Sequence, residues 1–240
     1  MKTLQQFLLV FAIMAISPLL KAQSVDDILA KHIEAIGGKE KLAAIKSVRM
    51  ETTLSINGAD AAGSTIVING KGYRSESDWS GQKVIQVYTD KSGWTQNPFM
   101  GINDPTALAD ELYKMGQYQI YIVPLLDYAS RGGKAELLGQ EKVGDANTYK
   151  IKLTDANGLA STYFFDPTTY YLIKSITALD LGGQKTDVTT TYSDYMKTDN
   201  GWMVAQNTGI DFGGQFNMTS KINKVEINGT VDPGIFEMKK

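Results

Sequence analysis

Ser47-Val48-Arg49-Met50-Glu51-Thr52-Thr53-Leu54-Ser55-Ile56-Asn57-Gly58 alternates apolar with more polar residues and stops at an Asn-Gly pair. Successive side chains of a strand point to opposite faces, so Val48, Met50, Thr52, Leu54 and Ile56 share one side. Asn-Gly supplies the positive φ of a tight hairpin, so the next segment is expected to run back antiparallel. Strand-like runs recur at Thr65 to Asn69, Tyr73 to Trp79, Val84 to Thr89 and Gly93 to Asn97. They resume at Tyr149 to Leu153, Thr162 to Phe165, Tyr170 to Leu181, Val188 to Tyr195, Trp202 to Ile210 and Phe216 to Ile227. Asn69-Gly70, Ser92-Gly93, Asn157-Gly158, Gly182-Gly183 and Asn200-Gly201 punctuate them. Alternating βα units are absent, which excludes a parallel sheet. The expected fold class is α+β: a strongly curved antiparallel sheet, a half-barrel of about ten strands, with helices covering the concave face.

One strand breaks phase. Met218, Ser220 and Ile222 share a face, whereas Val225 and Ile227 fall on the other. A bulge near Asn223 and Lys224 would return the apolar residues to one side and bend the strand.

Upstream of Ser47 the period is helical. Ser24 with Asp27 three residues on forms a capping-box pattern. Val25, Ile28, Leu29, Ile33 and Ile36 follow on one helical face, and Gly37-Gly38 stops the helix. A second short helix is expected from Lys39 to Ile45, with Leu42 and Ile45 apolar.

Still earlier, Lys2 precedes ten apolar residues from Phe7 to Ile16, then Ser17-Pro18 and a Leu20-Lys21-Ala22 end. That is the layout of a secretory signal peptide over residues 1–22, with an apolar run well short of the ~18 residues a membrane span needs. The expectation is an exported, soluble chain with a single domain over 23–240. With no cysteine anywhere, neither disulfides nor lipid attachment at an N-terminal Cys is available. Losing Lys2 and Lys21 leaves 22 basic against 26 acidic residues, and no basic stripe. Nucleic acid and anionic membrane surfaces are therefore poor partners.

The alternation is interrupted once, from Asn103 to Ser130. Asp104 followed by Pro105 reads as a helix start, and Leu108, Leu112 and Met115 form an apolar stripe. Gln117 to Ala129 is apolar and aromatic, with Pro124 limiting any helix. This insertion is the candidate lid over the concave face.

Catalytic signals are few. His32 is the only histidine and reads as a packed or solvated helix residue. Without cysteine or a second histidine, thiol catalysis and His or thiolate metal clusters are excluded. Arg131-Gly132-Gly133-Lys134 is too short for a phosphate loop and reads as a turn. Asp26-Asp27 and Asp110-Glu111 read as helix-start charges, and Asp211-Phe212-Gly213 as a strand end. No catalytic residue, metal site or cofactor is expected.

The remaining signature is a set of aromatics beside hairpins. Tyr73-Arg74-Ser75-Glu76-Ser77-Asp78-Trp79 is followed by Tyr88-Thr89-Asp90-Lys91-Ser92-Gly93-Trp94-Thr95-Gln96-Asn97-Pro98-Phe99. Later come Tyr163-Phe164-Phe165-Asp166-Pro167, Leu172-Ile173-Lys174-Ser175-Ile176 and Tyr192-Ser193-Asp194-Tyr195. Gly201-Trp202, Ile227-Asn228 and Val231-Asp232-Pro233-Gly234-Ile235-Phe236 complete the series. In this order they resemble the LolA-like, outer-membrane lipoprotein-sorting family across nearly all of residues 23–240. The Ile33 to Lys46 segment looks more like a broader periplasmic branch of it. No single arginine aligns with the family's functional one; Arg49 and Arg74 are the two candidates for it.

The resemblance implies a periplasmic, non-catalytic carrier whose half-barrel shelters an acyl chain or a lipoprotein in an apolar cavity. Flat aromatics and apolar side chains suit such a pocket, and the candidates are Trp79, Val87, Trp94, Phe99, Leu112, Tyr121 and Leu125. The alternative is an envelope protein–protein interaction module, with Tyr170, Tyr171 and Trp202 as exposed anchors. An enzyme acting on envelope polymers would instead require two convergent acids in one cleft.

Overall fold

The computed structural model describes residues 23–181 and 184–239. The expected signal peptide and the Gly182-Gly183 turn lie outside the described residues. Helix α1 (Val25–Ala35) opens the fold and α2 (Lys39–Ala43) follows. The capping box forms as read: Asp27 N donates to Ser24 Oγ at 3.1 Å, and Ser24 N donates to Asp27 Oδ2 at 3.2 Å. Gly37 and Gly38, at φ 139° and 86°, turn the chain between the helices.

Strands β1 (Ser47–Ile56), β2 (Ala59–Ile68), β3 (Gly72–Trp79), β4 (Gln82–Thr89), β5 (Gly93–Asn97) and β6 (Ile102–Ala107) pair in sequence. After an insertion carrying α3 (Asp110–Gly116) come β7 (Lys134–Val143), β8 (Ala146–Thr154), β9 (Ala160–Phe165) and β10 (Leu172–Leu181). Then β11 (Gln184–Lys197), β12 (Met203–Phe212) and β13 (Asn217–Ile227) return to the middle, where β13 pairs with β1. The result is one open, curved, antiparallel sheet of thirteen strands rather than about ten, with β6 and β7 at its two edges.

Two strands were not expected from the sequence. Asp104-Pro105 does not start a helix; both residues lie in β6, and the helix begins at Asp110. Proline lacks the N–H that an inner strand must donate, and an edge strand tolerates that loss. The other addition, β7, is the opposite edge: its residues are largely exposed and charged, so no apolar alternation marks it.

The bulge lies where the phase slip put it. Glu51 pairs with Lys224 and Thr52 with Ile222, leaving Asn223 as the extra residue on β13. Val225 and Ile227 thereby pack with Met50 and Val48 in one core.

Register separates the two faces of the sheet. Val48 stands opposite Val67 and Ile227, on the face where α1 and α2 pack through Ile28, Leu29, Ile33, Ile36 and Leu42. Arg49 stands opposite Ile66, Ile66 opposite Arg74, Arg74 opposite Val87 and Val87 opposite Trp94, all on the other face. A second, smaller core forms there against Phe236.

Because β6 and β7 are opposite edges, the segment joining them must cross the width of the sheet. It crosses on the helix-bearing face, where Val123 and Leu125 join the main core. The Asn69-Gly70 turn pins it: Gly70 N donates to Ile120 O at 2.8 Å, and Ile122 N donates to Asn69 Oδ1 at 3.1 Å. Gly116 lies so close to Tyr88 that an added Cβ would meet its ring at 2.0 Å.

Candidate functional site

The crossing segment does not fill the space beneath it. A cavity of about 650 Å³ lies between strands β9 to β13 and a roof made by His32 of α1, its C-cap Ile36, Met115 of α3, and Gln119, Ile122, Val123, Pro124 and Leu125. Its floor follows the strand ladder. Tyr163, Ser175 and Thr190 stand on one rung across β9, β10 and β11, and Ser161, Thr177 and Val188 on the next. Asp194, at φ 52°, breaks the alternation of β11, and both Tyr192 and Tyr195 line the cavity.

Among the described residues no aspartate, glutamate, lysine or arginine lines this space. Its hydroxyls are largely engaged with the protein. Ser161 Oγ and Thr177 Oγ1 are 2.8 Å apart, Ser175 Oγ and Tyr192 Oη 3.1 Å, and Tyr195 Oη donates to Leu172 O at 2.7 Å. Burial pushes Tyr163 up to about 12 and raises Tyr192 and Tyr195 as well, so all three remain neutral phenols.

His32 is the one lining residue that could titrate near neutrality. Desolvation lowers its pKa to about 4, against a smaller opposing effect of its bond to Tyr170. Tyr170 sits at φ 57°, and its carbonyl lies 2.8 Å from His32 Nδ1. A carbonyl only accepts, so Nδ1 carries the proton and Nε2 has a free lone pair. With its pKa lowered to about 4, this neutral imidazole is a weak base in an uncharged space. Among the described residues no cluster of His, Asp and Glu could hold a metal ion.

The seven residues expected at a ligand site are not brought together. Leu125 lines the cavity; Tyr121 is not among the lining residues and has the Arg131 guanidinium 4.1 Å from its ring centroid. Leu112 is 43% exposed on α3, and Phe99 is 63% exposed at the β5–β6 tip. Trp79 ends β3, donating from Nε1 to Ser77 Oγ at 2.9 Å. Val87 and Trp94 lie on the opposite face, where Trp94 Nε1 donates to Phe236 O at 2.8 Å. Trp202, read as an exposed anchor, is buried in the main core. Of the two arginines, Arg49 is exposed, while Arg74 Nη1 donates to Ile235 O at 3.2 Å and holds the C-terminal segment.

The cavity residues that sequence reading missed are Met115, Ile122, Tyr163, Leu172, Tyr192, Tyr195, Met203 and Ile222. The signal was present in strand phase. Tyr163 lies two residues before the fully buried Phe165 and shares its face, and pairing carries that face to Ser175 and Thr190.

No protein-family model matches the chain, and no curated protein matches it by sequence. Solved structures do match. A Vibrio parahaemolyticus domain of the outer membrane lipoprotein-sorting type aligns at 12% identity over 87% of this chain and 95% of its own, with a TM-score of 0.59. A DUF1329 family protein from Desulfovibrio piger aligns at 13% identity over 90% of this chain and 98% of its own, also at 0.59. A LolA superfamily protein from Nitrosomonas europaea aligns at 12% identity over 91% and 99%, again at 0.59. Thirteen antiparallel strands in one open sheet, an edge-to-edge crossing segment and these neighbours together give the chain the LolA-like fold.

Proposed function

We propose that this chain is a single-domain, non-catalytic carrier of the bacterial envelope that shelters the acyl chain of a lipid or lipoprotein. The observation that carries this reading is the uncharged cavity between the sheet and the crossing segment. Its volume of about 650 Å³ falls within the ~300–1,000 Å³ range of ligand sites. Each methylene moved there from water contributes roughly 0.8 kcal/mol, so affinity needs no reactive group. The concave side of the sheet forms the trough, and α1, α3 and the crossing segment form its roof. Export by the 1–22 signal peptide would deliver the chain to the periplasm. Among the described residues no helix is long and apolar enough to cross a membrane. A similar fold in a domain named for lipoprotein sorting supports the same reading.

The test is native mass spectrometry and solvent extraction of the protein purified from a producing cell without detergent. The expected result is a stoichiometric amphiphile with an acyl chain. A protein that carries none, and that fails to take up a fluorescent acyl reporter, ends the proposal.

A second reading, an envelope protein-interaction module, rests on Phe99 and Met100. They are 63% and 74% exposed at the β5–β6 tip, beside the unpaired edge of β6. Phe99→Ser/Met100→Ser should then release a co-purifying partner while leaving reporter uptake unchanged.

A further inference from the structure

We infer that the cavity selects a single-chain amphiphile with a carboxylate head, and that Arg131 holds that head in a side annex. This rests on the carrier reading above and names its ligand class. The annex is a small space of about 80 Å³ that includes Arg131 in its wall. It shares Pro124, Leu125, Leu159, Ser161 and Tyr163 with the main cavity, so the two spaces adjoin. The larger fits a tail and the smaller fits only a compact head.

Among the described residues Arg131 forms no direct ion pair, although the charge of Asp127 acts on it. Its Nη2 donates to Pro124 O at 2.6 Å, and its plane lies over Tyr121. Nη1 makes no hydrogen bond to a described residue, and Nε is the one buried side-chain polar atom among them with no partner. The neighbouring carboxylates are engaged elsewhere. Asp127 Oδ1 pairs with Lys39 Nζ at 3.1 Å. Asp155 Oδ1, in the annex wall, accepts from the amides of Asn157 at 2.8 Å and Leu159 at 2.9 Å. Burial, the largest cause, lowers the guanidinium pKa, a cost that an anion beside it would reverse. Guanidinium matches carboxylate through paired N–H donors, and the second N–H of Nη2 would complete such a pair with Nε or Nη1 while the first keeps its bond to Pro124 O.

The position of Arg131 gives the assignment a second consequence. Its bond to Pro124 O ties the far end of the roof to the turn before β7. A head bound at the guanidinium would thus bind at the hinge of the segment that covers its own tail.

The test is calorimetric titration of the full chain with three chain-matched probes: dodecanoate, 1-dodecanol and dodecyltrimethylammonium. Charge-assisted hydrogen bonding predicts that dodecanoate binds about tenfold or more tightly than the alcohol, with the cationic probe weakest. Arg131→Gln should bring the acid to the affinity of the alcohol and leave the alcohol within about twofold of wild type. Arg131→Lys should keep part of the preference, because a point charge replaces a fork. Equal affinity of acid and alcohol for the wild type overturns the carboxylate assignment and leaves the cavity reading standing. That comparison holds even if a variant fails to fold. A preference that survives in folded Arg131→Gln moves the head away from Arg131 and overturns the inference too. If none of the three probes binds, the carrier reading itself falls.

Discussion

The two faces of the sheet are both apolar, both aromatic and both covered by non-strand chain, yet one carries a hollow of about 650 Å³ with no charged lining among the described residues. The other is filled around Phe236 and keeps a recess of about 670 Å³ beside that packing, walled in part by Lys71, Asp90, Lys91 and Glu237. On the filled face Val87, Trp94, Ile66 and Ile85 pack directly against Phe236, and Arg74 and Trp94 both bond the tail's carbonyls. Gly72 shows how close the contact is: an added Cβ would meet the Phe236 ring at 2.8 Å. On the hollow face the cover is a long segment pinned near the Asn69-Gly70 turn and near Arg131, and the stretch between these ties arches over the floor. What separates the two recesses is lining rather than volume: apolar groups and paired hydroxyls under the crossing segment, charged side chains beside Phe236.

The largest expected effect tests the filled face. Trp94→Ala removes a buried ring and leaves Phe236 O without its donor, and such truncations cost ~3–5 kcal/mol. Urea denaturation should show that loss, while acyl-reporter affinity of the folded fraction stays unchanged. A variant that keeps its stability but loses the reporter would reverse the roles of the two faces.

The next effect belongs to the hollow face and reads through pH. His32 takes up a proton at about 4 in the folded chain and at 6.5 when unfolded. Below pH 6.5 the unfolded state binds more protons, so stability is full above that pH, falls as pH drops toward 4, and levels off beneath it. The span corresponds to about 3 kcal/mol. His32→Gln should flatten the midpoint-versus-pH curve across this window. An unchanged slope would mean that His32 is hydrated in solution and that the roof it belongs to is open.

The same contrast sets what the sequence could disclose. Strand period and Asn-Gly turns located most of the sheet, and the phase slip located the Asn223 bulge, because local rules decide those features. β6 escaped because Asp-Pro is a good helix start in isolation, and only its place at the sheet edge makes it strand. The site was less legible. Val87 and Trp94 alternate as faithfully as any cavity residue, and nothing local says which face carries the roof. Tyr121 and Leu125 were within reach because an apolar segment between two halves of a sheet has only a face to lie on.

A matched pair of enlargements sharpens the comparison further. Val87→Phe forces a ring into a fully packed position, for which ~1–3 kcal/mol of destabilisation is expected. Val188→Phe points the same ring into the cavity, where room exists, and should cost under ~1 kcal/mol while abolishing reporter uptake. Thermal unfolding and reporter titration of both proteins check this. Equal destabilisation of the two would mean that the roof settles onto the floor in solution.

The smallest effect concerns what the floor's polar atoms do. Ser161 Oγ and Thr177 Oγ1 are 2.8 Å apart and satisfy one another across β9 and β10. Removing one partner strands the other, whereas replacing both with apolar groups of similar shape is close to neutral. Thr177→Val alone should therefore cost ~1 kcal/mol or more, and Ser161→Ala/Thr177→Val less than ~0.5 kcal/mol. The double variant should also hold the acyl reporter at least as tightly as wild type, since paired hydroxyls offer an apolar ligand nothing that methyl groups lack. If it binds the reporter much more weakly instead, those hydroxyls face the ligand rather than each other. The cavity would then recognise a polar group along its length as well as an apolar chain.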